Sequence, residues 1–130
     1  RLVGRFDLFA DAATSFSYQW RDYDGGAYKR GPALQLSPGG KLAAGGKELV
    51  TIPANAWVRF EVTCTLGAAA DGTFDLKVFL PGEREPKAFA RLACEPGFRK
   101  LDWMGFIANG QRECAFHVDE VELKEDTAGR

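Results

Sequence analysis

Trp57-Val58-Arg59-Phe60-Glu61-Val62-Thr63-Cys64-Thr65 decides the fold. Val58, Phe60, Val62 and Cys64 fall on one parity, and Trp57, Arg59, Glu61 and Thr63 on the other. Side chains of a strand point alternately to opposite faces, so this two-residue period predicts a half-buried strand over Trp57–Thr65. Downstream, the small-residue loop Gly67–Gly72 leads into Thr73–Leu80, which sets Phe74, Leu76, Val78 and Leu80 on one side. The polar turn Pro81-Gly82-Glu83-Arg84-Glu85-Pro86 then leads into Lys87–Ala93. Up, down and up is the pattern of an antiparallel meander.

The same period extends to both ends. Leu2–Phe9 is the first strand, with Leu2, Phe6 and Leu8 together. Thr14–Arg21 sets Phe16, Tyr18 and Trp20 against Ser15, Ser17 and Gln19, and Asp22–Gly26 breaks it. Ala33–Leu36 and Lys41–Ala44 flank Pro38-Gly39-Gly40, and Gly45-Gly46 leads into Lys47–Ile52. Paired glycines supply the positive φ that tight hairpin turns require. Arg99–Ala108 puts Leu101, Trp103 and Ile107 on one face, and Asn109-Gly110 reads as another hairpin turn before Cys114–Leu123. In that last strand Phe116 and Val118 oppose Val121 and Leu123 in parity, so a β-bulge near Asp119-Glu120 is needed to bring both pairs inward. About ten short strands with no lasting 3.6-residue period predict an all-β fold, a two-sheet antiparallel β-sandwich. One domain over residues 1–123, with a polar tail at 124–130, fits the length of 130 residues.

Composition narrows the function. The 17 basic and 18 acidic residues give a formal net charge of −1. Nucleic acid and anionic membrane surfaces usually demand a basic excess, so neither is an expected partner. No apolar run approaches the roughly 18 residues that span a bilayer. The chain begins at Arg1 rather than Met and carries no signal peptide, which reads as a mature, trimmed or partial chain. The three cysteines, Cys64, Cys94 and Cys114, have no CxxC spacing. They are either half-buried thiols or include a Cys64–Cys94 bridge. An intervening strand would hold that pair about 9–10 Å apart, beyond disulfide reach without bending.

Catalytic signals are thin, and no catalytic residue is assigned. His117 is the one histidine, no GxSxG elbow exists, and the glycine pairs lie in hairpins rather than phosphate loops. His117-Val118-Asp119-Glu120-Val121-Glu122 approaches the E-x-D-x-x-E motif of laminarinase-like glucanases, but His117 stands where the nucleophilic glutamate belongs. Asp119 is a candidate metal residue, either helping to hold a structural calcium with loop carbonyls or simply capping the bulge. The aromatics carry more. Sugar sites offer flat rings to pyranose faces with polar groups alongside. Tyr18, Trp20, Arg21, Asp22, Tyr23 and Tyr28 crowd one strand end and its loop, and Trp103 is a candidate to join them. Tyr18 and Trp20 have a competing assignment to the core, and Arg21-Asp22 to a structural ion pair. Trp57 is a second candidate platform.

Gly31-Pro32-Ala33-Leu34-Gln35-Leu36, Gly40-Lys41-Leu42, Trp57–Val62, Leu66-Gly67, Gly72-Thr73-Phe74-Asp75-Leu76 and Phe116–Leu123 together resemble the concanavalin A-like lectin/glucanase superfamily. The nearest resemblance is to laminin G-like accessory domains of secreted bacterial proteins that act on polysaccharides. It implies a jelly-roll sandwich, a secreted or cell-surface location and a neighbouring catalytic domain. Such domains usually have strands upstream of the one at Leu2, so the chain reads as an incomplete piece or a shortened variant. The ending also resembles galactose-binding-like carbohydrate modules, whose aspartate at the position of Asp119 helps bind structural calcium. The leading expectation is a non-catalytic carbohydrate-binding module for a polysaccharide or oligosaccharide. The alternatives are a structural or interaction domain without glycan binding, and then a glucanase or polysaccharide lyase.

Overall fold

A computed structural model describes residues 1–23, 25–108 and 113–125. Among the described residues ten strands form: β1 (Leu2–Ala10), β2 (Phe16–Tyr23), β3 (Tyr28–Ser37), β4 (Lys41–Ala44), β5 (Lys47–Thr51), β6 (Trp57–Cys64), β7 (Thr73–Phe79), β8 (Lys87–Ala93), β9 (Trp103–Ala108) and β10 (Phe116–Glu125). One 3-10 turn covers Gly67–Ala69. The first sheet runs β10-β1-β6-β7-β8 and the second β5-β4-β3-β2-β9. Every pairing is antiparallel, and the two sheets enclose one core, so the chain is a β-sandwich. Among the described residues no helix is long and apolar enough to cross a membrane.

The alternation in β6 does what its sequence dictates. Val58, Phe60, Val62 and Cys64 are buried, and their neighbours face outward. Phe6 of β1 stacks on Phe60 at 4.9 Å and meets Tyr18 and Phe106 of the second sheet at 4.6 and 5.0 Å. Aromatic pairs at these separations add to the stabilisation from burial, so the sheets interlock through this cluster. Gly4 makes room for it. A Cβ there would come within 2.6 Å of the Tyr18 hydroxyl and 2.7 Å of the Trp20 ring.

The expected bulge is present. Asp7 pairs with Asp119 and Arg5 with Glu122, so Phe6 faces one residue too many. Glu120 takes φ +51°, and its N–H donates to Asp119 Oδ1 at 2.8 Å. The bulge turns Leu123 to the side of Gly4, yet Val121 and Leu123 remain about half exposed at the sheet edge. Their burial was expected, but β10 is the edge strand of its sheet. Lys124 and Glu125 extend β10 by pairing with Val3 and Leu2, so the strand runs past the expected start of the tail. Residues 126–130 lie outside the described residues.

The hairpin expected at Asn109-Gly110 does not link partners. β9 pairs with β2 and β10 with β1, so that connection passes between sheets, and its residues 109–112 lie outside the described set. Asp11 organises the corresponding passage from β1 to β2. Its Oδ1 accepts from Ala13 N–H and Thr14 Oγ1, and its Oδ2 from Ala115 N–H. These bonds, led by that from Ala115, hold its carboxyl below the ordinary 3.8.

Candidate functional site

β2 carries two different surfaces. Phe16, Tyr18 and Trp20 point into the core, while Ser17, Gln19, Arg21 and Tyr23 point away from it. Tyr18 and Trp20 are 1% and 0% exposed, so neither offers a face to a sugar ring. That corrects their candidacy as stacking platforms. Their polar atoms are satisfied internally: Trp20 Nε1–H donates to the Tyr18 hydroxyl at 2.7 Å, which donates to Met104 Sδ at 3.1 Å. Burial pushes the Tyr18 phenol up to about 12, against the lowering pull of the Trp20 bond.

Asp22 is also withdrawn from any ligand. It is buried, and its Oδ2 accepts from the backbone N–H groups of Arg99 and Lys100 at 3.1 and 3.3 Å. Oδ1 has no hydrogen-bond partner among the described residues. Asp22 therefore fastens the segment before β9, and with it the position of Trp103. Asp102 helps from the other side, where its N–H donates to Arg21 O and its Oδ2 accepts from Tyr23 N–H.

Arg21, Tyr23, Tyr28 and Trp103 do come together, on the outer face of the second sheet. The register sets Arg21 beside Trp103 and Tyr23 beside Tyr28. The Arg21 guanidinium carbon lies 4.1 Å from the Tyr28 ring centre and 4.3 Å from that of Trp103. Its Nε and Nη2 donate to Gln19 Oε1, and its Nη1 donates to the Tyr23 hydroxyl. A cation over a ring face gains about 0.5–1 kcal/mol at exposed positions. The Trp103 indole lies across Gly105, where a Cβ would collide with it. Gly105 pairs with Gln19, so the indole reaches toward that amide.

Beside this stack runs a groove of about 460 Å³. Ser17, Gln19, Ala33, Gln35 and Ala43 line it along β2, β3 and β4. Ser17 and Gln19 are 3% and 8% exposed, although they face away from the core. Ser17 Oγ donates to Gln35 Oε1 at 2.7 Å. One wall is the Gly45-Gly46 turn, and another is Ala93-Cys94-Glu95-Pro96. Gly45 must be glycine on two counts: its φ is +58°, and a Cβ would meet Ala93 N at 2.9 Å. The Arg30–Glu95 pair at 2.9 Å and the Glu95 N–H bond to Arg30 O fasten the second wall to β3. Sequence reasoning missed this polar floor. The signal was available, because Ser17 and Gln19 share the parity of Arg21.

Other candidates stand apart. His117 is exposed on the outer face of β10 against Phe9, whose ring centre is 6.2 Å away. Asp119 caps the bulge, and no group of three or more His, Cys, Asp or Glu able to hold a metal occurs among the described residues. That arrangement does not support a calcium role for Asp119. All three cysteines are free thiols. Cys64 is buried, and a hydrogen bond between the Cys64 and Cys94 thiols moves the first pKa down and the second up. No family model, curated protein or solved structure matches the chain.

Proposed function

We propose that the chain is a non-catalytic carbohydrate-binding module, and that its ligand site is the groove over Ser17, Gln19 and Gln35. One observation carries this reading: a hydroxyl and two amides line a groove between glycine and alanine walls, with the Trp103–Arg21–Tyr28 stack alongside. Hydroxyls and amides pair with sugar hydroxyls, and small residues leave space for a ring. The groove's lining carboxylate, Glu95, is engaged by Arg30. An acid occupied in this way is poorly suited to proton transfer.

In this reading the partner is an oligosaccharide or polysaccharide, held by a shallow site with modest affinity. We further propose that the chain belongs with the laminin G-like sandwiches it resembles and acts beside a catalytic neighbour in a secreted or cell-surface protein. The two antiparallel sheets support the sandwich part of this reading. Calorimetric titration against a glycan panel tests the ligand class. The reading expects saturable binding that Gln35→Ala and Trp103→Ala each weaken by about tenfold or more. Failure of every glycan to bind at millimolar concentration overturns it. A second reading, an interaction domain, is favoured by the exposed Val121 and Leu123 on β10.

A further inference from the structure

The outer face of the first sheet carries an aromatic row. His117 of β10, Phe9 of β1 and Trp57 of β6 stand opposite one another in register. Phe9 lies 6.2 Å from His117 and 5.5 Å from Trp57, centre to centre. Phe79 of β7 lies on the same face two residues along, opposite Arg59, and Pro81 follows it toward Trp57. At ordinary strand spacing this row over three strands is about 9–10 Å long. Trp57 is 49% exposed, and with Phe79 and Pro81 it lines an open cleft of about 520 Å³.

The charges beside the row are already matched. Arg59 Nε and Nη2 reach the two oxygens of Asp7 at 2.8 and 3.2 Å. Arg5 donates twice to Glu61 Oε2 and sits 3.8 Å from Glu122. Both guanidinium groups in the cleft are thus committed to carboxylates, which disfavours a phosphate, a sulfate or a uronic acid as the occupant. The exposed Trp57 indole beside half-buried rings, with paired polar groups on one flank, suits an uncharged ligand with flat apolar faces and hydroxyl edges.

We infer that this face is a second binding site, for a neutral polysaccharide chain laid across the strands with Trp57 as its main platform. The inference shares the saccharide class proposed above but uses the opposite sheet, so one domain would hold two chains or two stretches of one. The test is calorimetry with neutral β-glucan, xylan and galactomannan oligosaccharides, backed by affinity electrophoresis on the parent polysaccharides. Trp57→Ala is expected to weaken one class of site by about tenfold and lower the stoichiometry from two to one, leaving the groove's binding intact. Gln35→Ala should do the converse. If Trp57→Ala proves unfolded by circular dichroism, Trp57→Phe and Phe79→Ala read the same site. Unchanged binding in the Trp57 or Phe79 variants, with loss in Gln35→Ala, overturns the inference and leaves the groove standing. Loss in the Trp57 variants alone upholds the inference and overturns the groove. Binding at Trp57 of only an acidic polysaccharide or a protein overturns the neutral-chain assignment, and no saccharide binding overturns both.

Discussion

Replacing Tyr18 by Phe should destabilise the sandwich through Trp20. The Tyr18 hydroxyl accepts from Trp20 Nε1–H at 2.7 Å and donates to Met104 Sδ at 3.1 Å. Both rings are essentially fully buried, so removing the oxygen leaves the indole N–H without a partner. An orphaned buried donor costs about 1–3 kcal/mol. For a chain of this length, roughly 4 °C of melting temperature follows each kcal/mol, giving a fall of about 4–12 °C. The phenol also sets an alkaline limit. Its pKa is raised from 10.0 to about 12 in the fold, so the unfolded chain ionises first. Its contribution is complete below 10.0 and declines as pH rises toward about 12. At ~1.36 kcal/mol per pH unit, the loss approaches about 2.7 kcal/mol at most. Urea unfolding followed by circular dichroism at about pH 7, 9 and 11 reads both effects, with the slope unchanged and the midpoint moved. In Tyr18→Phe the alkaline fall should shrink by this contribution. A Tyr18→Phe protein as stable as the wild type at neutral pH, or with the same alkaline fall, would refute the reasoning.

Gly4→Ala should cost about 1–3 kcal/mol or more, since the new methyl lies 2.6 Å from the Tyr18 hydroxyl; thermal melting measures it. Asp22→Ala should lose about 2 kcal/mol and loosen the segment that carries Trp103, while Asp22→Asn, which keeps an acceptor, should lose less. Melting curves and the Trp103 indole resonance report both. Acid should weaken the fold through Asp11 and Asp71, whose pKa values are held below 3.8, chiefly by bonds from Ala115 N–H and the Thr73 hydroxyl respectively. Their contribution is present above 3.8 and disappears as pH falls through the lower folded values, so Asp11→Asn and Asp71→Asn should flatten the acid limb of a urea-midpoint profile.

Much of the fold was legible because parity is a local signal. The alternation of β6 and the glycines of the β4–β5 turn predicted what the chain does, and the parity conflict in β10 predicted its bulge but not the exposure of Val121 and Leu123. Strand ends were less legible. Asp22-Tyr23 read as a loop, yet pairing with Lys29 and Tyr28 carries β2 through to Tyr23. The strand expected from Ala33 begins at Tyr28 and passes a bulge at Gly31-Pro32, where Gly31 admits the Phe98 ring. Arg99 read as the start of a strand, whereas its N–H is spent on Asp22. The site was half legible. Composition picked out the aromatic-rich end of β2, but parity alone does not say which face becomes the interior. Trp20 and Tyr18 went inside, and the unremarkable Ser17 and Gln19 came to line the groove. Tyr18 and Trp20 pack against Gly4 and Phe6 of β1 and Phe106 of β9, and the groove's wall at Ala93–Pro96 comes from far away in sequence.

The proposed saccharide site lies on the outer face of the second sheet. Amide and side-chain NMR of the labelled chain during oligosaccharide titration tests it most directly. Saturable shifts are expected at Ser17, Gln19, Ala33, Gln35 and the Trp103 indole, with the buried Trp20 indole unmoved. No shifts at these positions at millimolar ligand, for any oligosaccharide of the panel, would contradict it.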